Sequence, residues 1–238
     1  MSELSRRDLL RQASLGLAVA GATSLTLQAS ALPTEPSGTL PDFGKPLPPF
    51  VQSTVVAQPA PEPPAAWSAT EDNILGPYFR KAAPFRAKIT PPFEPGMVMV
   101  VRGRVWGYES KKPLEGVRLE IWQANTHGRY DNDDPAHPPA PGVFANRARL
   151  ITDETGYYEF ETIHPGRYKN GPEDWRPSHI HYFVHHAGHK ELVTQLYFKG
   201  DPYNATDAFI KTSLIREAKL EKLNGQTFEL VTFDIVLA

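Results

Sequence analysis

From Met97 onward, short apolar runs alternate with turn formers. Met97–Trp106, Val117–Gln123, Tyr157–Ile163, His179–Val184, Leu192–Phe198 and Thr227–Leu237 are rich in branched and aromatic residues, a composition that suits a pleated, half-buried surface. Lys112-Pro113, Glu154-Thr155-Gly156 and Pro165-Gly166 punctuate them, each offering the backbone a tight turn. Short strands at this spacing predict an all-β fold, a β-sandwich. One stretch departs from the pattern: in Asp207–Leu223, Ile210, Leu214 and Ala218 recur at fourfold spacing with Gly225 as a stop, which fits a short helix or an irregular insertion equally well.

The N-terminal side of residue 67 reads differently. Ser5-Arg6-Arg7-Asp8-Leu9-Leu10, a mildly apolar stretch from Ala13 to Leu27, and Ala29-Ser30-Ala31 follow one another in the order of a twin-arginine export signal with its small-residue cleavage site. The apolar stretch is short for a membrane span. Residues 1–31 are therefore expected to be a signal peptide, with the protein exported to the periplasm or beyond and not held in the membrane after cleavage. From residue 32 to about 66 the chain carries ten prolines between Pro33 and Pro64 and few charges, which favours an extended polyproline geometry over a core. Phe43, Phe50, Val51, Val55 and Val56 give that segment apolar anchors, so it is either a linker or an arm wrapping a neighbouring subunit. The catalytic or binding domain is expected at 67–238.

Composition narrows the classes of function. With 238 residues, 40% hydrophobic and 22% charged, the chain can bury one good core. A net charge of −2 and the lack of any basic run remove the electrostatic footprint expected of a nucleic-acid binder. The sequence has no cysteine, which excludes disulfides and thiolate metal sites.

The sharpest local feature is Trp175-Arg176-Pro177-Ser178-His179-Ile180-His181. Two histidines two apart on a strand point to one face, roughly 6.6 Å apart along it, a gap that one metal ion can bridge. His185, His186 and His189 form a second cluster, whose spacing suits a zinc-binding helix better than a hairpin; a polar turn around Ala187-Gly188 accounts for them. Taken without the histidines, Pro113–Val117, Thr152–Phe160 and Pro165–Tyr168 would also fit a transthyretin-like or carboxypeptidase-regulatory-like sandwich that binds rather than catalyses.

With the histidines, the chain from about Gly76 to its end resembles the intradiol ring-cleavage dioxygenases, of the protocatechuate 3,4-dioxygenase type. The motifs that carry the resemblance are Gly76-Pro77-Tyr78, Ile121–Asn125, Gly128-Arg129-Tyr130, Thr162–Tyr168, Trp175–His181 and Thr194–Pro202. The resemblance implies a non-haem Fe(III) cofactor bound by Tyr130, Tyr168, His179 and His181, with Arg176 and Gln195 beside the substrate and Tyr168 as the ligand that leaves when substrate binds. It implies a catechol-type substrate and O2, both oxygen atoms entering the ring as it opens between the hydroxyl-bearing carbons to a cis,cis-muconate-type product. Oligomers are usual in that family. Ile74, Leu75 and Tyr78 lie in the stretch that resembles one bordering the family's pocket, and are candidate specificity residues. Lys169-Asn170 stands where protocatechuate enzymes commonly carry a Pro-Trp pair, which leaves the ring substituent open.

The residue types agree with that metal. A free tyrosine has a pKa of about 10, so coordinating two tyrosinates near neutral pH takes a strong Lewis acid. Fe(III) fits, whereas Ca(II) prefers carboxylates. Two tyrosinates and one hydroxide cancel the three charges of the ion, allowing the site to be buried. The plain readings are tyrosines with satisfied hydroxyls at strand ends, Arg176 as an ion-pair partner of Glu173 or Asp174, and Gln195 as a polar strand position.

Overall fold

A computed structural model of the chain describes residues 62–64 and 67–238. The expected export signal at 1–31 and, apart from 62–64, the proline-rich arm at 32–66 lie outside the described residues.

Among the described residues, twelve strands form two five-stranded sheets and a small ribbon. The first sheet is organised on β1 (Val98–Gly107). β4 (Tyr157–Ile163) runs antiparallel along it, while β11 (Gln226–Thr232) and then β12 (Ile235–Leu237) run parallel to it, and β10 (Lys219–Leu223) pairs with β11. The second sheet has the order β3 (Arg147–Ile151), β2 (Arg118–Gln123), β7 (His179–His185), β8 (Leu192–Phe198), β9 (Ile215–Arg216). β5 (Tyr168–Lys169) and β6 (Trp175–Arg176) make the ribbon.

The sandwich closes because alternate residues of both sheets are apolar. Met99, Val101 and Val105 of β1 and Val231 of β11 share one buried cluster with Leu119 and Ile121 of β2 and Ile180, Tyr182 and Val184 of β7. Burying side chains of this size contributes about 1.5–3 kcal/mol each.

The expected strand Thr227–Leu237 is broken in two. At the break, the Phe233 N–H donates to the Arg102 carbonyl at 2.8 Å and the Asp234 carboxylate accepts from the Arg104 N–H at 2.8 Å, so a side chain replaces a carbonyl in the ladder. Gly103 is required opposite it, since a Cβ there would stand 2.1 Å from the Phe233 carbonyl oxygen.

The helical option for Asp207–Leu223 is corrected. The stretch holds only a three-residue 3-10 turn, Thr212–Leu214, before β9 and β10; a second 3-10 turn, Pro202–Ala205, precedes it. Leu214 is buried and Ile210 half-buried against the core, so their spacing reflects two anchor points on the sandwich. Asn224 and Gly225 both adopt positive φ, 50° and 81°, the pair that a two-residue hairpin turn demands. Gly225 thus reverses the chain from β10 into β11, where a helix stop was expected.

Candidate metal centre

The pleat of β7 sorts its side chains. Ile180, Tyr182 and Val184 enter the core, leaving His179 and His181 together on the other face. Both are buried. Register places Trp122 of β2 and Gln195 of β8 on either side of His181, and Tyr197 beside His179. The Trp122 ring stacks on the His181 imidazole, centroids 4.7 Å apart and planes within 7°.

Tyr130 reaches the same place from the connection after β2. There the Asn125 carboxamide oxygen accepts the N–H groups of His127 and Arg129, both at 3.0 Å, and the Asp133 carboxylate accepts the Tyr130 N–H at 3.2 Å. The ring of Tyr78 stacks on that of Tyr130 at 4.3 Å. Tyr168 arrives from β5, paired with Arg176 of β6; its ring centroid is 5.6 Å from that of Tyr130 and 5.6 Å from that of His179.

The structure therefore brings Tyr130, Tyr168, His179 and His181 together. The Nε2 atoms of His179 and His181 are 3.1 Å apart, and the Tyr130 hydroxyl is 3.4 Å from His179 Nε2. His179 Nδ1 lies 2.7 Å from the Pro177 carbonyl. A carbonyl only accepts, so Nδ1 carries the proton and Nε2 turns a lone pair inward, the arrangement of a metal-binding histidine. The buried Nδ1 of His181 has no partner among the described residues. Two imidazole nitrogens and a phenol oxygen facing one another are poorly satisfied by a single shared proton and well satisfied by a cation.

Burial keeps every member of the set neutral. It pushes the Tyr130 phenol well up and the Tyr168 phenol up, the latter against the pull of Arg176. It lowers His179 to about 3, with Arg176 adding to the effect, and drives His181 well below its ordinary value with help from His179. The imidazoles are thus already in ligand form, whereas the phenols would release their protons only to a strong Lewis acid. Among the described residues no three His, Cys, Asp or Glu side chains converge on a metal position. Any ion held here depends on the tyrosines, and that donor set fits a ferric ion better than zinc or calcium.

Arg176 and Gln195 sit together beside this centre. Arg176 Nη2 donates to Gln195 Oε1 at 2.8 Å and to the Tyr197 hydroxyl at 3.2 Å, and its Nε donates to Asp207 at 3.1 Å. Its ion-pair partner is Asp207, not Glu173 or Asp174. Gln195 Oε1 also accepts from the Tyr197 hydroxyl at 2.8 Å, while Nε2 donates to the Ile74 carbonyl at 2.9 Å. The amide oxygen is fully engaged, so Gln195 braces Arg176 and the 74–76 backbone. Ile74 and Leu75 are exposed on that rim. Gly76 follows with φ 72°, and a Cβ on it would meet His181 Cε1 at 3.3 Å. Tyr78 packs on Tyr130 and, edge-on, on Tyr168, which makes it a support of two candidate ligands.

His185, from the other histidine cluster, hydrogen-bonds through Nδ1 to Glu191 at 2.7 Å. Sequence reasoning missed Asp207, Tyr197 and the buried Arg147, which binds Asp131 and donates to the Tyr78 carbonyl at 2.5 Å. No local signal marks Asp207, 31 residues from its partner.

A family model described as dioxygenase matches residues 74–238. The chain is 33% identical over 189 residues to a chlorocatechol 1,2-dioxygenase of Rhodococcus opacus, covering 71% of this chain and 72% of that one. It is 44% identical over 154 residues to the protocatechuate 3,4-dioxygenase beta chain of Burkholderia cepacia, covering 60% and 65%. It also superposes on the dioxygenase domain of a dioxygenase carbohydrate-binding protein fusion from Streptomyces sp. SirexAA-E, with a TM-score of 0.59, 36% identity and coverage of 71% and 98%. The chain spans between 50% and 72% of the length of the curated relatives it matches. With two five-stranded sheets, a tyrosine and histidine centre and a family match over its described domain, the chain belongs to the intradiol ring-cleaving dioxygenase family of enzymes.

Proposed function

We propose that Tyr130, Tyr168, His179 and His181 hold a non-haem Fe(III) ion, and that the protein uses O2 to open a catechol-type aromatic between its two hydroxyl-bearing carbons, giving a cis,cis-muconate-type diacid. The observation that carries this reading is the inward meeting of two buried imidazole Nε2 atoms 3.1 Å apart with the Tyr130 hydroxyl 3.4 Å from one of them. The names of the relatives, chlorocatechol 1,2-dioxygenase and protocatechuate 3,4-dioxygenase beta chain, support a vicinal diol as substrate.

Fe(III), when bound, would supply the Lewis acid that acidifies the diol and makes the ring reactive toward O2. The remaining work falls to the chain. Tyr168, half-buried on a two-residue strand, is the ligand best placed to swing away: as a phenolate it would take the proton of one diol hydroxyl at Oη and leave as the neutral phenol. Tyr130, packed under Tyr78, stays fixed with the histidines. The Arg176 guanidinium faces negative charge developing on the ring, a preorganised electrostatic role worth several kcal/mol in a dry site. Ile74 and Leu75 cover the ring and discriminate its substituents.

Visible absorption tests the reading. The purified protein is expected to be red-brown through tyrosinate-to-iron charge transfer, to shift its band on adding catechol, and to consume O2 with it; a colourless, iron-free but active preparation would overturn it.

Ser5–Leu10 and Ala29–Ala31 further support export after cleavage near Ala31, which the mass of the secreted chain tests. The working form is an oligomer, as the resemblance implies, and light scattering tests that.

A further inference from the structure

The segment between β8 and β9 supplies none of the four proposed ligands, yet it carries a buried carboxylate into the site. Asp207 is buried and so is its partner Arg176. Its Oδ2 accepts from Arg176 Nε at 3.1 Å, its Oδ1 accepts the Phe209 N–H at 3.1 Å, and its own N–H donates to the Tyr203 carbonyl at 3.0 Å. The loop is anchored again one turn on: the Phe209 carbonyl accepts from Asn73 Nδ2 at 2.9 Å. The Phe209 ring lies 4.9 Å from Arg176 Cζ. Nε and Nη2 of the guanidinium are thus tied to Asp207, Gln195 and Tyr197, and Nη1 makes no hydrogen bond among the described residues.

We propose that Asp207 is a positioning residue for the ring cleavage: it fixes the Arg176 guanidinium by its Nε edge so that Nη1 is left for the substrate, and it cancels the charge that would otherwise draw carboxylated catechols to the pocket. This rests on the function proposed above. A guanidinium has a planar fork of donors, so a carboxylate on one edge sets the plane and the direction of the others. An unpaired buried guanidinium would also seek any anion available, and a carboxylate on the substrate ring is the nearest candidate. With Asp207 in place, the pair is neutral and discrimination falls to apolar Ile74 and Leu75.

A double-mutant cycle on the iron-loaded full-length protein separates this role from a merely structural ion pair. Asp207→Asn, Arg176→Met and the double variant are compared by kcat and KM for catechol and for 3,4-dihydroxybenzoate, and by the catechol dissociation constant read from the visible band. Asp207→Asn is expected to lower kcat/KM for catechol by roughly 10- to 100-fold, the range typical of residues that orient another functional group. The loss for the carboxylated ring should be about tenfold smaller, and in the Arg176→Met background the Asp207 substitution should have no further effect. Independent, multiplicative losses, or an unchanged preference between the two substrates, would overturn the proposal. If Asp207→Asn does not fold, Asp207→Glu serves: the charge is kept but displaced by one methylene, so kcat should fall with the substrate preference unchanged, and wild-type kcat would overturn the proposal. A wild-type protein that binds no iron and cleaves no catechol refutes the functional reading itself, a result distinct from an active wild type with uncoupled variants.

Discussion

The two faces of β7 compare a hydrophobic solution with a polar one on the same seven residues. Inward, Ile180, Tyr182 and Val184 meet apolar side chains from the opposite sheet. Their partners are interchangeable within limits of volume. Outward, His179 and His181 meet a tyrosine from a loop, another from a two-residue strand, and a tryptophan stacked on one imidazole. There each partner must present a particular atom. The inner face holds the strand in place, while the outer face, relieved of stabilising the fold, can gather groups that burial alone would disfavour.

Four experiments bear on that division, in falling order of effect. His179→Ala should remove the bound iron and about 10³-fold of kcat, since Lewis-acid stabilisation worth several kcal/mol is lost at 1.36 kcal/mol per tenfold; metal analysis and O2 uptake report this, and retained iron with full activity would break the division. On the other face, Ile180→Ala should cost about 2–5 kcal/mol of stability with iron stoichiometry preserved in the folded fraction, as read by urea denaturation alongside metal content.

The third uses pH on metal-free protein. His179 sits at about 3 when folded against an ordinary 6.5, and His181 shifts in the same direction. Below 6.5 the unfolded chain binds protons that the folded one refuses, so stability is full above that value and falls as pH drops toward 3. The slope from His179 alone is about 1.4 kcal/mol per pH unit, and His181 steepens it. Melting temperatures between pH 7 and pH 4 check this, and a flat profile would place the imidazoles in contact with solvent. The smallest effect is expected of Gly76→Ala. Its φ of 72° costs an L-residue about 1–2 kcal/mol, and the new methyl would press on His181, so iron should bind more weakly without being lost; unchanged affinity would show that the rim does not bear on the ligand.

Much of this molecule could be read from its residues in order. The β1, β2, β4, β7 and β8 strands follow from runs of branched and aromatic residues between turn formers, and the shared face of His179 and His181 follows from a spacing of two. Those properties are local, set by backbone sterics and the pleat, so neighbours in sequence suffice to state them. Tyr130 and Tyr168 were legible only through resemblance, because nothing in the loop after β2 or in a two-residue strand announces where a phenol will point. The tertiary structure alone decided that Asp207, not Glu173 or Asp174, neutralises Arg176, that Gln195 spends its oxygen on Arg176 and Tyr197, and that Asp207–Leu223 becomes a 3-10 turn and strands. For Arg176 and Gln195 the outcome turned on which groups packing left without water, and a buried charge or amide takes the partner that the fold brings within reach, however distant in sequence.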